Sequence, residues 1–341
     1  MSTFPTPLRV ALAGAGMISG YHLRAWSRLA NARVVAVVEP DATRAAARCA
    51  EFAIPAHYAS LAALLERETI DVLDIASPRE THGPLLVSAV ERGVAVLCQK
   101  PFMPTLREAR DLTGWLAGRA RVMVNQNFRF RAYYRQMKAW IDEGRLGELT
   151  GLAVACRSSG LLRGADGTYP YIERQPFVRG EARLLIEEVL IHRIDIARWL
   201  AGPLRLVSAQ ARRSCTDLRG ESEAALLFAR IRDGMPVTVD GNLGAAGYPA
   251  TPASDRVEVI GTRGRIMMDH DVLRLHAERD EEIAYSHPAV YQASFDATVA
   301  HFVEALLQGT PFLIPPEDNL ETMALCEDAY VASRLAPAQH S

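Results

Sequence analysis

The chain has 341 residues, which is long for one doubly wound domain and comfortable for two. Apolar residues make up 49% and charged residues 23%, a composition typical of a globular protein in water. The 38 basic and 40 acidic residues nearly cancel, so we expect no nucleic-acid partner and no anionic membrane partner. No apolar run approaches the roughly 20 residues that span a bilayer, and we expect no secretory signal at the start of the sequence.

The cysteines indicate a reducing compartment. There are five, an odd number, at scattered positions and without a C-x-x-C pair, which argues against a disulfide framework. The sequence therefore predicts a cytoplasmic protein. Cys98 ends an apolar run and could be a nucleophile, but a small core residue at a strand end is the stronger interpretation.

Short β-branched runs alternate with helical patterns over residues 1–127. This alternation predicts an α/β Rossmann domain, a doubly wound parallel sheet with helices on both faces. Ser60 and the Thr105–Glu108 capping box mark two helix starts. The predicted strands are Leu8–Ala13, Val34–Val38, Val72–Ala76, Val94–Cys98 and Val122–Val124, and the predicted helices are Ile18–Leu29, Ala42–Phe52, Leu61–Glu66, Leu85–Arg92 and Leu106–Ala117.

Residues 128–341 have a different pattern of apolar and polar residues, and we expect them to form a second, α+β domain. Longer alternating strands separated by turn signals predict an antiparallel sheet. The last two helices could pack against either domain. The predicted strands are Gly151–Arg157, Leu204–Arg213, Glu223–Arg232, Pro236–Leu243, Arg256–Ile260 and Gly264–Met268, and the predicted helices are Tyr133–Glu143, Glu187–Leu200, Ala293–Gln308 and Glu317–Leu335.

A glycine-rich turn follows the first predicted strand. Gly14 and Gly16 allow backbone to approach a pyrophosphate, and Met17 and Ile18 lead into a helix whose N-terminus supplies unpaired N–H donors. The pattern predicts a dinucleotide site formed by these four residues. It is imperfect, because Ser19 stands where the third glycine of G-x-G-x-x-G is expected.

Glu39 ends the second predicted strand, 25 residues after Gly14. A carboxylate at this place can accept hydrogen bonds from the adenosine ribose hydroxyls, and it repels a 2′-phosphate. Glu39 therefore favours NAD over NADP as the cofactor. The competing interpretation is a solvated carboxylate at a strand end.

The next strand ends face the same crevice of the sheet. Ser77 and Pro78 follow one strand and are expected to line the nicotinamide half of the cofactor, with His82 as a further candidate at the start of a helix. Gln99 and Lys100 follow the next strand and are also expected to contact the cofactor. The Lys100 ammonium, on a backbone restricted by the following proline, can stabilise an alkoxide that develops as hydride leaves.

The helix predicted over Glu187–Leu200 carries a third group of candidates. Glu188 and His192 are four residues apart and Asp195 is three further on, which puts all three on one face of a regular α-helix. A histidine between two carboxylates is suited to general acid–base work. We expect no metal site, because no third ligand has a persuasive spacing and residues 268–271 are better interpreted as a polar turn.

Six motifs in order resemble the Gfo/Idh/MocA family of sugar and cyclitol dehydrogenases over nearly the whole chain. They are GAGMISGYH at 14–22, VVAVVEPD at 34–41, DVLDIASPRETH at 71–82, VLCQKP at 96–101, NFRF at 127–130 and EEVLIHRIDIARWLAG at 187–202. The resemblance implies a Rossmann domain followed by an open, mostly antiparallel sheet that mediates a homodimer or homotetramer.

The resemblance also implies roles for individual residues. Lys100 matches the lysine of the family's E-K-P motif, with Gln99 in place of glutamate. His192 matches the catalytic histidine and Asp195 the substrate-binding aspartate. Glu188 stands where aspartate is usual, and Leu190 stands where glycine is usual, so the carboxylate can reach its partner from a different angle.

Residues 168–185 mix aromatic faces with planar donors, as sugar sites do. Tyr169 and Gln175 in this segment, and Arg129 in the NFRF motif, are candidate substrate-binding residues. Together with CQKP and EEVLIH, the segment resembles the subgroup of the family that includes D-apiose dehydrogenase.

The resulting hypothesis is an NAD-dependent oxidoreductase that transfers a hydride between the nicotinamide and a hydroxyl carbon of a small sugar or polyol. His192 is the base, Lys100 stabilises the oxyanion, and Asp195 and Glu188 hold hydroxyls and orient the histidine. Two alternatives remain open. One is a non-catalytic NAD-binding sensor or assembly protein on the same fold, and the other is a reductase of a non-sugar carbonyl or imine.

Overall fold

The structure, a computed structural model, describes residues 4–251 and 254–333. The chain forms two compact units. The first contains residues 4–132 together with Pro288–Glu321, and the second contains residues 133–251, 254–287 and 322–333. The expected domain boundary between residues 127 and 128 stays a prediction.

Within the described residues, the first unit contains a six-stranded parallel sheet in the order β3-β2-β1-β4-β5-β6. This is the strand order of dinucleotide-binding domains. Successive strands are added on one side of β1 up to β3, and from β4 onward they are added on the other side. The predicted parallel sheet is confirmed, and β3 is an additional strand that the sequence analysis did not predict. The strands are β1 (Leu8–Ala13), β2 (Ala32–Val38), β3 (Ala56–Tyr58), β4 (Val72–Ile75), β5 (Ala95–Gln99) and β6 (Val122–Asn125).

Helices connect these strands, and two of the predicted helix starts are confirmed by their caps. The Ser60 hydroxyl accepts the Ala63 N–H at 3.2 Å, and the Thr105 hydroxyl accepts the Glu108 N–H at 3.2 Å. The helices are α1 (Ser19–Ser27), α2 (Ala42–Phe52), α3 (Leu61–Leu65), α4 (His82–Val90) and α5 (Leu106–Leu116), with short 3₁₀ turns at Arg79–Thr81 and Asn127–Phe130.

The second unit contains a mixed sheet of eight described strands in the order β14-β13-β12-β11-β7-β10-β9-β8. Neighbouring strands are antiparallel except β7 and β10, which are parallel, so the mostly antiparallel prediction is confirmed. The strands are β7 (Leu149–Arg157), β8 (Leu204–Arg212), β9 (Glu223–Arg230), β10 (Pro236–Asn242), β11 (Ser254–Gly261), β12 (Arg265–Asp269), β13 (Val272–His276) and β14 (Glu281–Ala284).

One face of this second sheet is buried. Side chains along β7, β11 and β12 alternate between buried and more exposed positions, the pattern of a sheet with one covered face. Helix α8 packs against β7 and β10 on the covered face. The helices that precede the C-terminal pair are α6 (Ala132–Asp142), α7 (Pro170–Arg174) and α8 (Ile191–Ala201), with a 3₁₀ turn at Pro176–Arg179.

The helix predicted over Glu187–Leu200 is not regular. Leu185–Leu190 form a π-helical turn, and α8 begins only at Ile191. A π-helical turn adds a residue to each turn, so side-chain spacing differs from that of an α-helix. Glu188 therefore lies in the π-helical turn, whereas His192 and Asp195 lie in α8, and a shared face of Glu188 with these two residues stays a prediction.

Two long helices end the described chain, α9 (His287–Gln308) and α10 (Pro316–Ser333). In the first unit α9 packs on α1 through aromatic rings, with Tyr21 stacked on Phe295 at 5.4 Å and Trp26 edge-on to Phe302 at 6.3 Å between ring centroids. The predicted end of the last helix, Leu335, lies outside the described residues. Among residues 4–251 and 254–333, no helix combines the length and apolar character that a membrane crossing requires.

Candidate active site

The glycine turn lies where β1 and β4 end side by side. Gly14 has φ of +102°, and a Cβ there would lie 2.6 Å from the Ala76 carbonyl oxygen and 2.8 Å from the Ser77 nitrogen. Only glycine fits both the backbone angle and the space. The turn is thereby held against the strand end that carries Ser77, at the point where dinucleotides bind in such sheets.

The rest of the turn is open toward the start of α1. No described atom lies within 4 Å of the position that a Cβ on Gly16 would take, and no described side chain caps the helix at Ile18. The Ser19 side chain is buried, and its hydroxyl donates to the Gly16 carbonyl at 2.6 Å. The serine at the third glycine position therefore points into the protein and leaves the outer side of the turn clear.

Met17 and Ile18 differ in exposure. Met17 is 43% exposed, whereas Ile18 is partly buried and packs against the core cluster that contains Leu12 and Leu23. The Ile18 side chain thus anchors the start of α1, and its backbone is the part that faces the turn.

Glu39 lies directly beside the glycine turn. Its carboxylate accepts the Ala15 N–H at 2.9 Å and the Asp41 N–H at 3.2 Å, and Arg44 lies 3.6 Å away. A carboxylate has about four lone-pair positions, so these contacts leave acceptor capacity for hydroxyl groups. The turn, the uncapped helix start and Glu39 fit a dinucleotide: backbone for its pyrophosphate and a carboxylate for its ribose.

His82 joins the loops that follow β4 and β5. Its Nε2 lies 3.0 Å from the Ser77 carbonyl oxygen, and its Nδ1 lies 3.1 Å from the Pro101 carbonyl oxygen. Burial lowers the pKa of His82, although the surrounding carbonyls act in the opposite direction. The ring is 1% exposed and holds the loops of Ser77 and Lys100 together, while Pro78 is exposed beside it.

Lys100 is half-buried and directly follows β5. Its backbone N–H donates to the Gln99 side-chain oxygen at 2.7 Å. The other end of the Gln99 amide approaches His22 on α1, a buried residue of the GAGMISGYH motif that is not among the predicted site residues. Nothing local in the sequence marks this contact, because 77 residues separate the two side chains.

In the second unit, α8 carries a buried histidine and a buried carboxylate three residues apart. His192 is 9% exposed and Asp195 is 0% exposed. Asp195 accepts the Thr322 hydroxyl at 2.9 Å, and Arg198 lies 3.9 Å away. Burial raises the pKa of the neighbouring Cys326 thiol well above its ordinary value, so this cysteine stays protonated.

Glu221, which is not among the predicted site residues, fixes the turn that leads into α8. This buried carboxylate accepts the Ile186 N–H at 2.8 Å, the Leu184 N–H at 3.2 Å and the Tyr330 hydroxyl at 2.7 Å. It therefore satisfies backbone donors at the start of the π-helical turn. Its partners are 35 to 109 residues away, which explains why no local pattern indicated the role.

Glu188 is half-buried in the π-helical turn, near Tyr171. Burial raises the pKa of Tyr171, and the negative charge of Glu188 raises it further. The Tyr171 hydroxyl is therefore protonated and can donate a hydrogen bond. Gln175 ends the short helix α7, where its N–H donates to the Tyr171 carbonyl at 3.1 Å.

Tyr169 lies beside the loop that follows β8. It lines a cavity of about 310 Å³ whose wall includes Leu161 and Cys215. A hydrogen bond to Asp217 raises the pKa of Tyr169 to about 12. The structure thus associates Tyr169 with the loop between β8 and β9.

Arg129 forms a buried ion pair in the first unit. Its guanidinium donates to Asp318 at 2.6 Å, and the side chain is 3% exposed. This geometry favours a structural role over a substrate contact. Within the described ranges, no group of three or more His, Cys, Asp or Glu side chains is arranged to hold a metal ion, and Asp269–His270 lie at the turn between β12 and β13.

Comparison with known families assigns both parts of the chain. Residues 8–126 match a family described as oxidoreductases with an NAD-binding Rossmann fold, and residues 134–267 match the GFO/IDH/MocA C-terminal domain. The chain belongs to the Gfo/Idh/MocA family. The first unit is therefore an NAD-binding Rossmann domain and the protein an NAD-binding oxidoreductase, which confirms the resemblance that the motifs indicated.

Two curated relatives and one solved structure illustrate the similarity. The D-apiose dehydrogenase of Paraburkholderia graminis is 30% identical over 95% of this chain and 87% of its own. The inositol 2-dehydrogenase of Leifsonia xyli subsp. xyli is 30% identical over 91% of this chain and 88% of its own. An Agrobacterium radiobacter oxidoreductase, solved with NAD⁺, L-tartaric acid and magnesium, superposes with a TM-score of 0.89 at 26% identity over 97% of each chain.

Proposed function

We propose that this protein is an NAD-dependent dehydrogenase that transfers a hydride between the nicotinamide and a hydroxyl carbon of a sugar or polyol. The observation that carries the proposal is the buried His192–Asp195 pair on α8, in a family member whose relatives are named for an aldopentose and a cyclitol. An acid–base histidine beside hydroxyl-binding carboxylates suits alcohol oxidation.

In the oxidation direction, bound NAD supplies the hydride acceptor. His192 accepts the hydroxyl proton at an imidazole nitrogen. The Lys100 ammonium donates a hydrogen bond to the same hydroxyl oxygen and stabilises the negative charge that develops there. The oxidised carbon becomes a carbonyl, or a lactone where the carbon is anomeric.

The carboxylates have separate tasks in this proposal. Asp195 is fully buried and bonded to Thr322, which favours orienting α8 and His192 over holding a hydroxyl directly. Glu188 is half-buried and lies near Tyr171, so it is the better candidate to accept a substrate hydroxyl. Gln175 and Tyr169 remain candidates for substrate contacts at the outside of the site. Arg129 instead stabilises the first unit through its ion pair with Asp318.

We further propose NAD in preference to NADP, because the Glu39 carboxylate beside the glycine turn repels a 2′-phosphate. A reducing, cytoplasmic location is supported by the cysteines, all five of which are free thiols within the described residues. A homodimer or homotetramer formed through the second sheet follows from the family resemblance, and light scattering across a concentration series tests it.

Turnover measurements test the proposal directly. NADH absorbance is followed with D-apiose, other pentoses, hexoses and inositols, each with NAD and with NADP. Lys100→Ala and His192→Ala are each expected to lower kcat by about 10²-fold or more, the effect of a lost acid–base group. The double variant should lose little more than either single variant, because the two groups act on one proton transfer.

Three outcomes would contradict it. Normal turnover by both single variants would remove these residues from the mechanism. Tight NAD binding without turnover of any sugar or polyol would favour a sensor or assembly protein, and turnover of an imine or non-sugar carbonyl would favour a reductase.

A further inference from the structure

A buried hydrogen-bond cluster lies at the strand ends of the first sheet, outside the residues assigned to catalysis. We call it the His22 cluster. His22, Asp74 and Asn125 are 0% exposed and Trp26 is 1% exposed, and Gln99 connects them to Lys100. Buried polar groups of this kind are costly unless every member has a partner, so their hydrogen bonds define which atoms carry protons.

Asp74 determines one side of the His22 ring. The Trp26 indole N–H donates to Asp74 Oδ2 at 2.6 Å, and His22 Nδ1 lies 2.8 Å and 3.0 Å from the two carboxylate oxygens. An indole N–H can only donate, so the carboxylate acts as an acceptor. His22 Nδ1, which faces both oxygens, therefore carries a proton and donates it to Asp74.

Gln99 determines the other side. The Lys100 backbone N–H donates to Gln99 Oε1 at 2.7 Å, which fixes the orientation of the side-chain amide. Gln99 Nε2 then faces His22 Nε2 at 3.3 Å, and Asn125 Nδ2 faces the same ring nitrogen at 3.1 Å. Amide NH₂ groups can only donate, so His22 Nε2 must offer its lone pair. The ring is neutral, with its single proton on Nδ1.

We propose that His22 is a positioning residue for Lys100. The neutral ring, oriented by Asp74, holds the Gln99 amide, and Gln99 holds the backbone of the lysine. The inference rests on the oxyanion role proposed for Lys100. A second proton, on His22 Nε2, would face the Gln99 NH₂ group, and that amide could accept it only by turning and releasing the Lys100 N–H.

Gln99 is the residue that keeps the ring neutral. A carboxylate at position 99 could accept both the Lys100 N–H and a proton-bearing His22 Nε2, which would favour the imidazolium form. An amide gives only one acceptor, and Lys100 uses it. The glutamine therefore sets the protonation state of the cluster as well as the backbone geometry.

The groups that face the cluster from neighbouring elements are consistent with this assignment. From β4 comes the Asp74 carboxylate and from β5 the Cys98 thiol, whose pKa burial and Asp74 raise well above its ordinary value. From β6 and α9 come the uncharged Asn125 and the Phe295 ring, the latter 5.2 Å from the His22 ring. The Asn125 amide does not decide the assignment, because its Oδ1 has no hydrogen-bond partner among residues 4–251 and 254–333 that would fix its orientation.

Nitrogen NMR tests the assigned protonation state in the intact protein. In ¹⁵N-histidine-labelled protein, the His22 signals are identified by their loss in His22→Gln or by their displacement in Gln99→Glu. At neutral pH we expect the neutral Nδ1–H tautomer in the wild type and the imidazolium in Gln99→Glu. An Nε2–H tautomer or an imidazolium in the wild type would overturn the proposal.

Kinetics test the positioning role. Gln99→Leu removes both amide contacts and should lower kcat about tenfold, the effect of one lost hydrogen bond of about 1.4 kcal/mol. Gln99→Glu, which can still accept the Lys100 N–H, should recover most of this kcat. Thr298→Val is the matched control, because it removes another buried hydrogen bond of the same unit, Thr298 to the Ser294 carbonyl at 2.7 Å.

The outcomes separate this inference from the proposed function. Wild-type kcat in Gln99→Leu, or an equal loss in Thr298→Val, would overturn the positioning role even if Lys100→Ala were inactive. If the wild type oxidised no sugar or polyol, the proposed function would fail, and the NMR result would still decide the protonation state of His22.

Discussion

At the scale of single residues, backbone contacts determine how the first unit can receive a nucleotide. Gly14 is required because the neighbouring strand leaves no room for a side chain, whereas Ser19 is tolerated because its hydroxyl turns back to the Gly16 carbonyl. The sequence pattern alone predicted the turn but could not predict this difference. Both positions belong to the same motif, yet only the space around each one decides which residue fits.

Glu39→Gln tests cofactor preference at this scale. The amide oxygen can still accept the Ala15 N–H, but the NH₂ group neither accepts a ribose hydroxyl nor repels a 2′-phosphate. The ratio of kcat/KM for NAD to that for NADP should fall about tenfold or more, the effect of a lost charge-assisted hydrogen bond. Glu51→Gln, which removes a more exposed carboxylate from α2, is the control and should leave the ratio unchanged.

His82 should make the protein less stable in mild acid. Burial lowers the pKa of His82 in the folded protein, whereas in the unfolded chain it stays at about 6.5. At pH values between these two pKa values, the unfolded chain binds a proton that the folded chain does not. The stability that neutral His82 contributes is thus present above the unfolded pKa and is lost as the pH falls. Tm should decrease from about pH 7 to pH 5, and the decrease should be smaller in His82→Gln. An identical decrease in both proteins would contradict the assignment.

At the scale of elements, helix α8 and the π-helical turn before it are fixed by residues far away in the chain. Glu221 satisfies backbone donors at the start of the π-helical turn, and Thr322 holds Asp195 in α8. Leu190 in the same turn packs against Gly241 of β10, where a Cβ would lie 2.9 Å from a Leu190 methyl group. A leucine at a position where the family usually has glycine is therefore accommodated by a glycine in the facing strand.

A double-mutant cycle tests this compensation. Gly241→Ala should lower the free energy of unfolding by about 1–3 kcal/mol through overpacking, and Leu190→Ala by about 2–5 kcal/mol through a cavity. The double variant should be more stable than the sum of the single losses predicts, because each change relieves the other. Strict additivity in urea denaturation would show that the two residues do not compete for space.

Local patterns explain which elements could be predicted. The continuous apolar run of β1 and the amphipathic run of α2 gave the observed bounds, and the hydroxyl caps at Ser60 and Thr105 gave helix starts. Strand β3 is only three residues long, and the β13–β14 hairpin carries many charged residues, so neither has a strong periodic signal.

The candidate site was predictable to the extent that its residues lie at strand ends or in α8. Lys100, Glu39 and His192 are marked by their place relative to predicted elements. Their supports are not, because the contacts of His22 with Asp74 and of Asp195 with Thr322 join residues 52 and 127 positions apart. The π-helical turn was missed for a related reason, since it depends on the distant carboxylate of Glu221.

At the scale of the whole molecule, the first unit is assembled from two separate stretches of chain. Residues 288–321 return to the unit that residues up to 132 begin. In addition to the ring contacts of α9 with α1, Arg121 donates to the Ala305 carbonyl at 3.0 Å, and the Val124 N–H donates to the Ile314 carbonyl at 2.9 Å. The returning stretch therefore completes both a helical face and a strand edge.

A fragment of residues 1–132 should not fold stably alone. It would leave Trp26, Tyr21 and the outer edge of β6 without the partners that α9 and the following residues provide. We expect no cooperative thermal transition for this fragment by circular dichroism, and recovery of a transition when residues 288–321 are joined to it by a Gly/Ser linker. A cooperative transition in the fragment alone would contradict this expectation.

The discontinuous first unit has a consequence for synthesis on the ribosome. Translation proceeds from the N-terminus at about 5–20 residues per second, so α1 emerges long before α9, and the Tyr133–His287 part of the second unit is made in the interval. During that time the apolar side of α1 has no native cover. The nascent chain is therefore exposed to aggregation over most of its synthesis, and chaperone binding to the stretch around Trp26 would protect it until its last partner helix leaves the exit tunnel.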